Sequence, residues 1–487
     1  MACLTGCLVG PDYRRPSVDV PTGWRSAPET AGSVADLPWW ALFQDPTLQA
    51  LIRTALAQNR DLQLAVARVL EARALVTVAQ APLFPQLGAG ASYLAERYSE
   101  HSFPPFPPNV PFTQDFYQAQ ANLLSFEFDL WGRLRRATEA ARADLLATEE
   151  GQRTVWLTPL ADVAGTYFRL LGLDQQAAIA RETLGSRREA LALVQHRYAE
   201  GLTGELDARR AEDALAAAAA AVPAFDWEIA ATENRLRVLL GENPGPIPRG
   251  APLDAQQLPP EVPAGLPSAL LARRPDVRQM EARLIAANAR IGEAKALFFP
   301  QITLTGLLGV ESGSLRNLFT APSRIWQVGP TLTAPVFTGG RLQGTLAAAE
   351  AHEEQALIAY QQAIQQAFRE VEDALVYHQK IREIRTVEAD RVTAARQALQ
   401  LAELRYENGL TNYLDVLDAQ RQLFLAELDL AVATRDQLIA VVQLYKALGG
   451  GWDPNQAIGE STRESPDPEH RYGIPPFDQH AVERNGT

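Results

Sequence analysis

The chain contains the same arrangement of segments twice, and this duplication constrains its fold more than any other feature. Residues 57–87 and 272–302 share 11 of 31 positions at a constant offset of 215, including a Phe-Pro-Gln near the end of each. The two segments of a second pair are more similar to each other: RYAEGLTGELDARRAEDAL starts at Arg197, and RYENGLTNYLDVLDAQRQL starts at Arg405. Because solenoid repeats have periods of about 20–50 residues, the sequence instead predicts one duplicated unit of about 200 residues.

Both units have the same order of predicted elements. A helical stretch ends at Phe-Pro-Gln, two strand-like segments follow, a very long helix runs to a break at Gly-Leu-Thr, and another long helix completes the unit. The strand segments are predicted near 86–100, 114–130, 301–312 and 324–338.

Alternating polarity indicates strands in these segments. Trp326, Val328 and Leu332 alternate with polar or small residues, whereas the alternation in the second segment slips near Leu124. A period of two with one apolar face fits either a half-buried strand of a soluble sheet or a lipid-facing strand of a barrel.

The helical stretches are far longer than those of ordinary globular proteins. Residues 131–200 contain no strong helix breaker except Pro159, where we expect a kink, and residues 340–408 are similar. Seventy residues of helix span roughly 105 Å, whereas average helices have about 10–14 residues. Such lengths predict a coiled coil or a tube of helices.

Composition limits how the chain could meet a membrane. The net charge of −13 argues against a nucleic-acid partner, and no uninterrupted apolar run reaches about 18 residues. A membrane crossing must then use strands, but four strands cannot close a barrel, whose known single-chain forms begin at about 8. Three copies with four strands each give 12. The alternative is a soluble coiled-coil scaffold or a structural outer-membrane assembly that transports nothing.

Both cysteines lie at the start of the chain, at Cys3 and Cys7. Leu4-Thr5-Gly6-Cys7 resembles a bacterial lipobox, in which Cys7 becomes the acylated first residue. The alternative is a chance match, since only six residues precede Cys7 and a signal sequence needs a charged and an apolar region there.

Several motifs together resemble the TolC-type outer-membrane efflux channels, in the NodT-like lipoprotein branch. The resemblance covers roughly residues 7–455. The matching segments are VGPDY at 9–13, Trp39-Trp40 with Phe43 and Asp45, RRPDVR at 273–278, AANARIGEAKA at 286–296, FFPQITLTG at 298–306, WQVGPTLTAPVFTGGRL at 326–342, RYENGLTNYLDVLDAQ at 405–420 and LYKALGGGW at 444–452.

The resemblance implies an α+β fold in an elongated, duplicated protomer. Its four antiparallel transmembrane strands would form a 12-stranded barrel in a homotrimer, and its long helices would form a periplasmic α-barrel. The predicted segments are a residual signal and lipobox at 1–7, an N-terminal arm at 8–46, repeat 1 at 47–240, an equatorial linker at 241–267, repeat 2 at 268–448, and a C-terminal equatorial segment with a disordered tail at 449–487.

The same resemblance implies the function and the partners. The trimer would be a passive exit duct in the outer membrane of a Gram-negative bacterium, lipid-anchored through Cys7. It would receive drugs or other solutes from a periplasmic adaptor and an inner-membrane pump, which is expected to be proton-driven. We find no arrangement typical of catalysis, and Gly88-Ala-Gly90 lacks the third glycine of a dinucleotide motif. We therefore expect no enzymatic activity, cofactor or metal.

A gate is implied where the long helices turn, formed by Tyr406, Leu414, Asp418 and Arg421 with Asp415 beside them. Leu414 would narrow the opening, Asp418 and Arg421 would pair within or between protomers, and Tyr406 would hydrogen-bond across neighbouring helices.

Each acidic gate residue also has an ordinary interpretation. Asp415 lies in a first helical turn, where the helix dipole favours a carboxylate and Asn412 can act as the N-cap, and Asp207 has the same place in repeat 1. Asp418 corresponds to Arg210 in repeat 1. The alternative to a gate role for Asp418 is an ordinary surface ion pair with Arg421, which would contribute under about 1 kcal/mol to stability.

The two turns themselves would form the exposed tip of the tunnel and receive the helical hairpins of the adaptor. Their alternative is a plain turn, although an exposed leucine favours a contact. The tip residues are Gly201, Leu202 and Thr203 in repeat 1 and Gly409, Leu410 and Thr411 in repeat 2.

Overall fold

The computed structural model describes residues 8–26, 33–101, 107, 109–257 and 263–450. The predicted signal and lipobox segment with Cys7 lies outside the described residues, as does the predicted C-terminal segment at 449–487 except for its first two residues. The described residues form nine α-helices and four strands: α1 Trp39–Leu42, α2 Pro46–Gln58, α3 Arg60–Gln80, β1 Gln86–Arg97, β2 Thr113–Phe128, α4 Arg133–Ala199, α5 Glu205–Leu239, α6 Pro267–Arg273, α7 Pro275–Ala296, β3 Gln301–Ser312, β4 Arg324–Thr333, α8 Arg341–Glu407 and α9 Tyr413–Ala447.

The four strands form one antiparallel sheet in the order β1-β2-β3-β4. β1 and β2 come from repeat 1 and β3 and β4 from repeat 2, so the β2–β3 pairing joins the two repeats. The register of that pairing shifts between Leu123 and Phe126, which confirms the slip predicted near Leu124. β1 and β4 are the edges of the sheet.

This sheet is a single layer with large apolar side chains exposed on it. Leu87, Trp326 and Leu332 are 79%, 76% and 67% exposed. A soluble sheet buries such side chains against a second layer. The exposed apolar side chains therefore favour a lipid-facing wall over the soluble alternative.

The two longest helices, α4 and α8, have 67 residues each, or roughly 100 Å. α4 continues on both sides of Pro159, which lies buried within it. Each long helix packs along the shorter helix that follows it, α5 or α9, as in the ion pair between Arg181 of α4 and Asp226 of α5. α4 also packs against α9, and this contact joins the repeats along the helical part of the molecule.

α5 is long and apolar enough to cross a membrane by length and composition, and 6% of its apolar stretch is buried. Alanine supplies this character, in the run from Ala214 to Val222. The helix begins at the turn after α4 and packs along α4. Its outer face is therefore unpartnered in a single copy.

The main hydrophobic core lies at the middle of the long helices, at the waist of the protomer. Tyr167 of α4, Tyr360 of α8 and Tyr445 of α9 are fully buried there, together with Trp39 and Ile52 from the N-terminal part of the chain. Elements from both repeats and from the N-terminal arm thus share one core.

Candidate functional site

Both long helices end in the same hydrogen-bonded turn. Gly201 and Gly409 have φ values of 75° and 67°, a conformation that favours glycine. The N–H groups of Leu202 and Leu410 donate to the carbonyls of Arg197 and Arg405, each at 2.8 Å, which is a Schellman motif. This geometry leaves Leu202 and Leu410 64% and 69% exposed at the end of the molecule.

A threonine and an aspartate begin the returning helix in both repeats. The hydroxyl of Thr203 donates to Oδ2 of Asp207 at 2.7 Å, and the hydroxyl of Thr411 donates to Oδ2 of Asp415. The side chain of Asn412 also accepts a hydrogen bond from the backbone N–H of Asp415 at 3.3 Å. This repeated arrangement favours the capping interpretation of Asp415 over a role at an opening.

Tyr406 is buried inside the tip of the protomer. Its ring lies 5.4 Å from that of Tyr413, and the guanidinium of Arg197 lies 4.7 Å above it. Its hydroxyl has no hydrogen-bond partner within the part of the chain that the structure describes. Burial raises the pKa of Tyr413 above its ordinary value. Tyr406 therefore links α4, α8 and α9 within one copy through its ring.

The other predicted gate residues line a groove of 570 Å³, which we call the gate groove. It lies between α5 and α9, over α4. Leu414, Asp418 and Arg421 contribute from α9, and Arg421 donates to Asp418 at 2.7 Å. Both members of this ion pair are more than half exposed, so in a single copy it stabilises the fold by well under about 1 kcal/mol. The pair is thus free to change partners at little cost.

Arg187 also lines the gate groove, and it was not predicted from the sequence. This side chain of α4 is buried and donates to Oε1 of Gln420 on α9, and none of the described carboxylates forms an ion pair with it. Burial lowers the pKa of Arg187. Helical periodicity alone could not distinguish it from Arg188, which is exposed at the next position.

The opposite end of α4 adjoins both the sheet and the N-terminal arm. The indole N–H of Trp131 donates to the carbonyl of Pro300 at 2.8 Å, and its ring stacks on Phe299 at 4.7 Å. The N–H of Val9 donates to the carbonyl of Trp131 at 3.1 Å, and Leu8 lies against Gly132. The described chain therefore begins beside the end of the sheet that connects to the helices.

Comparison with known proteins gives a family match over most of the chain. A family model described as outer membrane efflux protein matches residues 51–242 and 266–450. The chain is 38% identical over 463 residues to the solvent efflux pump outer membrane protein SrpC of Pseudomonas putida, covering 93% of this chain and 97% of SrpC. It is 35% identical over 454 residues to the cation efflux system protein CusC of Escherichia coli strain K12, covering 92% and 97%.

Solved structures agree with this match. The crystal structure of the open state of the MtrE outer membrane channel of Neisseria gonorrhoeae superimposes with a TM-score of 0.82 at 32% identity. The match covers 92% of this chain and 99% of that one. The long helices and the four-stranded sheet are therefore shared with a channel protomer.

Proposed function

The chain belongs to the outer membrane efflux protein family, and from this premise we propose that three copies form the outer-membrane exit channel of a tripartite efflux system. The channel is passive and performs no catalysis. A pump in the inner membrane supplies the energy, and a periplasmic adaptor connects the pump to the tips of the long helices.

The observation that carries this proposal is the sheet with two free edges. β1 and β4 leave backbone donors and acceptors unpaired, and such an edge cannot remain in lipid. Pairing β4 of one copy with β1 of the next satisfies both edges, and three copies close a wall of 12 strands around a lumen. The alanine-rich outer face of α5 then packs against the neighbouring copy, which continues the cylinder below the membrane.

We propose that Leu414, Asp418 and Arg421 form the gate, where their copies from three protomers converge on the axis. Asp418 and Arg421 are the charged pair that holds the closed state, and Leu414 narrows the opening. Tyr406 supports them from inside the tip, and Asp415 serves as the helix cap. The proposal is supported by the exposure of Leu414 and of the ion pair on one face of α9.

The tips and the N-terminus have separate proposed roles. The two tips contact the adaptor, because Leu202 and Leu410 are exposed at the end of the molecule. The contact includes the glycine before and the threonine after each leucine, which are Gly201, Thr203, Gly409 and Thr411. Cys7 carries the lipid anchor. This role is supported by Leu8, which lies against Gly132 just after the end of β2. A lipid attached to the residue before Leu8 would therefore reach the surface of the bilayer.

The test is ion conductance of purified trimers in planar bilayers. We expect a low resting conductance that rises at least tenfold in Asp418→Ala, because losing the carboxylate leaves the closed gate without its charged pair. A trimer that is silent in both forms, or a protein that is monomeric in mild detergent, would refute the exit channel and favour a structural assembly.

A further inference from the structure

The charges of the proposed gate occur in opposite order in repeat 1. When the two Arg-Tyr-containing segments are aligned, Asp418 corresponds to Arg210 and Arg421 corresponds to Asp213. All four side chains line the gate groove, two from α5 and two from α9. The duplicated positions thus give two charged pairs of opposite polarity that face one groove.

The two charged side chains on α5, Arg210 and Asp213, form at most weak ion pairs with other described residues. Nη1 of Arg210 lies 3.8 Å from the carboxylate of Asp207, and Asp213 forms no ion pair with another described residue. The structure also brings neither of them within ion-pairing distance of Asp418 or Arg421 across the groove. Both α5 charges are therefore available to a partner of opposite sign.

The wall of the groove makes such a pairing more favourable than an ordinary surface contact. The buried Arg187 and the apolar side chains of Leu417 and Phe424 line it together with the four charges. A surface that excludes water lowers the effective dielectric constant, and opposite charges attract more strongly there. Closing the groove would bury these apolar side chains as well.

One face of α9 cannot serve two partners. Leu414, Asp418 and Arg421 line the groove toward α5 of their own protomer, and the same side chains make the proposed contacts between copies at the axis. When they pair with α5, they are withdrawn from the other two copies. Contact with α5 and closure of the gate therefore compete.

We propose that Arg210 and Asp213 are further gate residues, which pair with Asp418 and Arg421 of the same protomer when α9 moves onto α5, and so hold the gate open. This inference rests on the proposed function. In this arrangement the closed state uses contacts between copies, and the open state uses contacts between the two repeats of one copy.

The first test locks the groove shut with a disulfide. A217C/L425C trimers, in which both replaced residues line the groove and all four charges remain, are oxidised and then measured in planar bilayers. We expect a disulfide within each protomer, because closing the groove brings the two positions within the range of about 4.4–6.8 Å between Cα atoms that a disulfide requires. Conductance should rise at least tenfold on oxidation and return on reduction. A216C/L425C is the matched control, since Ala216 does not line the groove, and it should form no disulfide.

Two results would overturn the inference. One is a disulfide between different protomers, seen as a covalent dimer on a denaturing gel. The other is a disulfide within each protomer that leaves conductance unchanged or lowers it. If no variant conducts, the proposed exit channel is refuted. In that case the denaturing gel still tests the contact between α5 and α9, because it shows whether the disulfide forms within one protomer or between two.

The second test exchanges the charges. R210D/D213R places like charges opposite each other across the groove, and we expect open probability to fall at least fivefold. The fourfold exchange R210D/D213R/D418R/R421D restores opposite signs everywhere and should return open probability to within about twofold of the original. R209E/E212R, an exposed pair on the same helix, should change it little. A fourfold exchange as impaired as R210D/D213R contradicts the pairing.

Discussion

The guanidinium of Arg274 lies 2.7 Å from the carboxylate of Glu370, which joins the start of α7 to the middle of α8. Arg274 is buried, and it also binds Asp276 at 2.5 Å and the carbonyl of Ala447 at 3.2 Å. One arginine of the RRPDVR segment therefore connects three helices at the waist. Its neighbour Arg273 forms an ion pair with Asp36 closer to the surface.

The adjacent arginines allow a matched comparison. Arg274→Gln removes the buried guanidinium that joins Glu370, Asp276 and the Ala447 carbonyl, and we expect a loss of about 1.5–3 kcal/mol in the free energy of unfolding. Arg273→Gln should cost under about 1 kcal/mol, as expected for an exposed pair. Thermal dissociation and unfolding of detergent-purified trimers measure both. Equal losses in the two variants would show that the buried contacts of Arg274 do not carry the stability of the waist.

A second buried arginine holds the N-terminal arm. Arg136 of α4 binds the carboxylates of Asp12 at 2.8 Å and Glu139 at 2.9 Å, and its Nε donates to the carbonyl of Val9. Arg136→Met removes the bonds to Asp12 and to the Val9 carbonyl, which together stabilise the arm by about 1–2 kcal/mol because Asp12 is exposed. We expect the arm to be cleaved by protease at least tenfold faster. Arg142→Met, an exposed change on the same helix, is the control, and equal cleavage of both variants would contradict this attachment.

Glu150 provides a pH-dependent prediction outside the membrane-spanning strands. Burial raises the pKa of its carboxyl, although Arg153 and Arg278 lie 2.5 and 2.7 Å from Oε1 and lower it. The folded state then binds more protons than the unfolded state between the ordinary and the raised pKa. Stability due to this group is therefore present at low pH and is lost as pH rises through the raised pKa.

The check is a comparison of the original protein with Glu150→Gln between pH 4 and pH 8. The original should lose thermal stability relative to the variant as pH rises through this window, because the glutamine does not titrate. A constant difference between the two melting temperatures, or one of the opposite sign, would rule out the raised pKa.

Local features of the chain were predictable from its sequence. The strand that contains Trp326, Val328 and Leu332 was recognisable because side chains alternate between the faces of any strand. The turns at Gly201 and Gly409 were recognisable because few residues other than glycine adopt a positive φ. These properties depend on neighbours a few positions away.

The buried arginines were not predictable in the same way. Arg136 meets Asp12 across 124 positions, and Arg274 meets Ala447 across 173. Whether an arginine on a helix is buried depends on the distant segment that packs over it, and periodicity contains no information about that segment. Likewise, the sequence does not show that the charges of α5 and α9 face each other, because this depends on the fold placing both helices beside one groove.

Asp415 and Asp418 lie three positions apart, but we expect substitutions at the two positions to have different effects, on stability at Asp415 and on conductance at Asp418. Asp415→Asn weakens the cap that Thr411 and Asn412 complete, and we expect a loss of about 0.5–1 kcal/mol with unchanged resting conductance. Asp418→Asn should raise resting conductance with little effect on stability. Asp207→Asn is the control for the cap in repeat 1 and should behave like Asp415→Asn. A rise in conductance in Asp415→Asn would assign this carboxylate to the gate after all.

Arg187 predicts a substitution that stabilises the protein. Its buried guanidinium has Gln420 as its hydrogen-bond partner and no carboxylate among the described residues. Gln420→Glu supplies the missing charge at the same position, and the resulting charge-assisted bond is about twice as strong as a neutral one. We expect a gain of about 1 kcal/mol and slower hydrogen exchange where α4 crosses α9. Gln422→Glu adds the same charge at an exposed position two residues away and should change neither quantity. If both variants are equally stable, the site is open to water and Arg187 already has its charge solvated there.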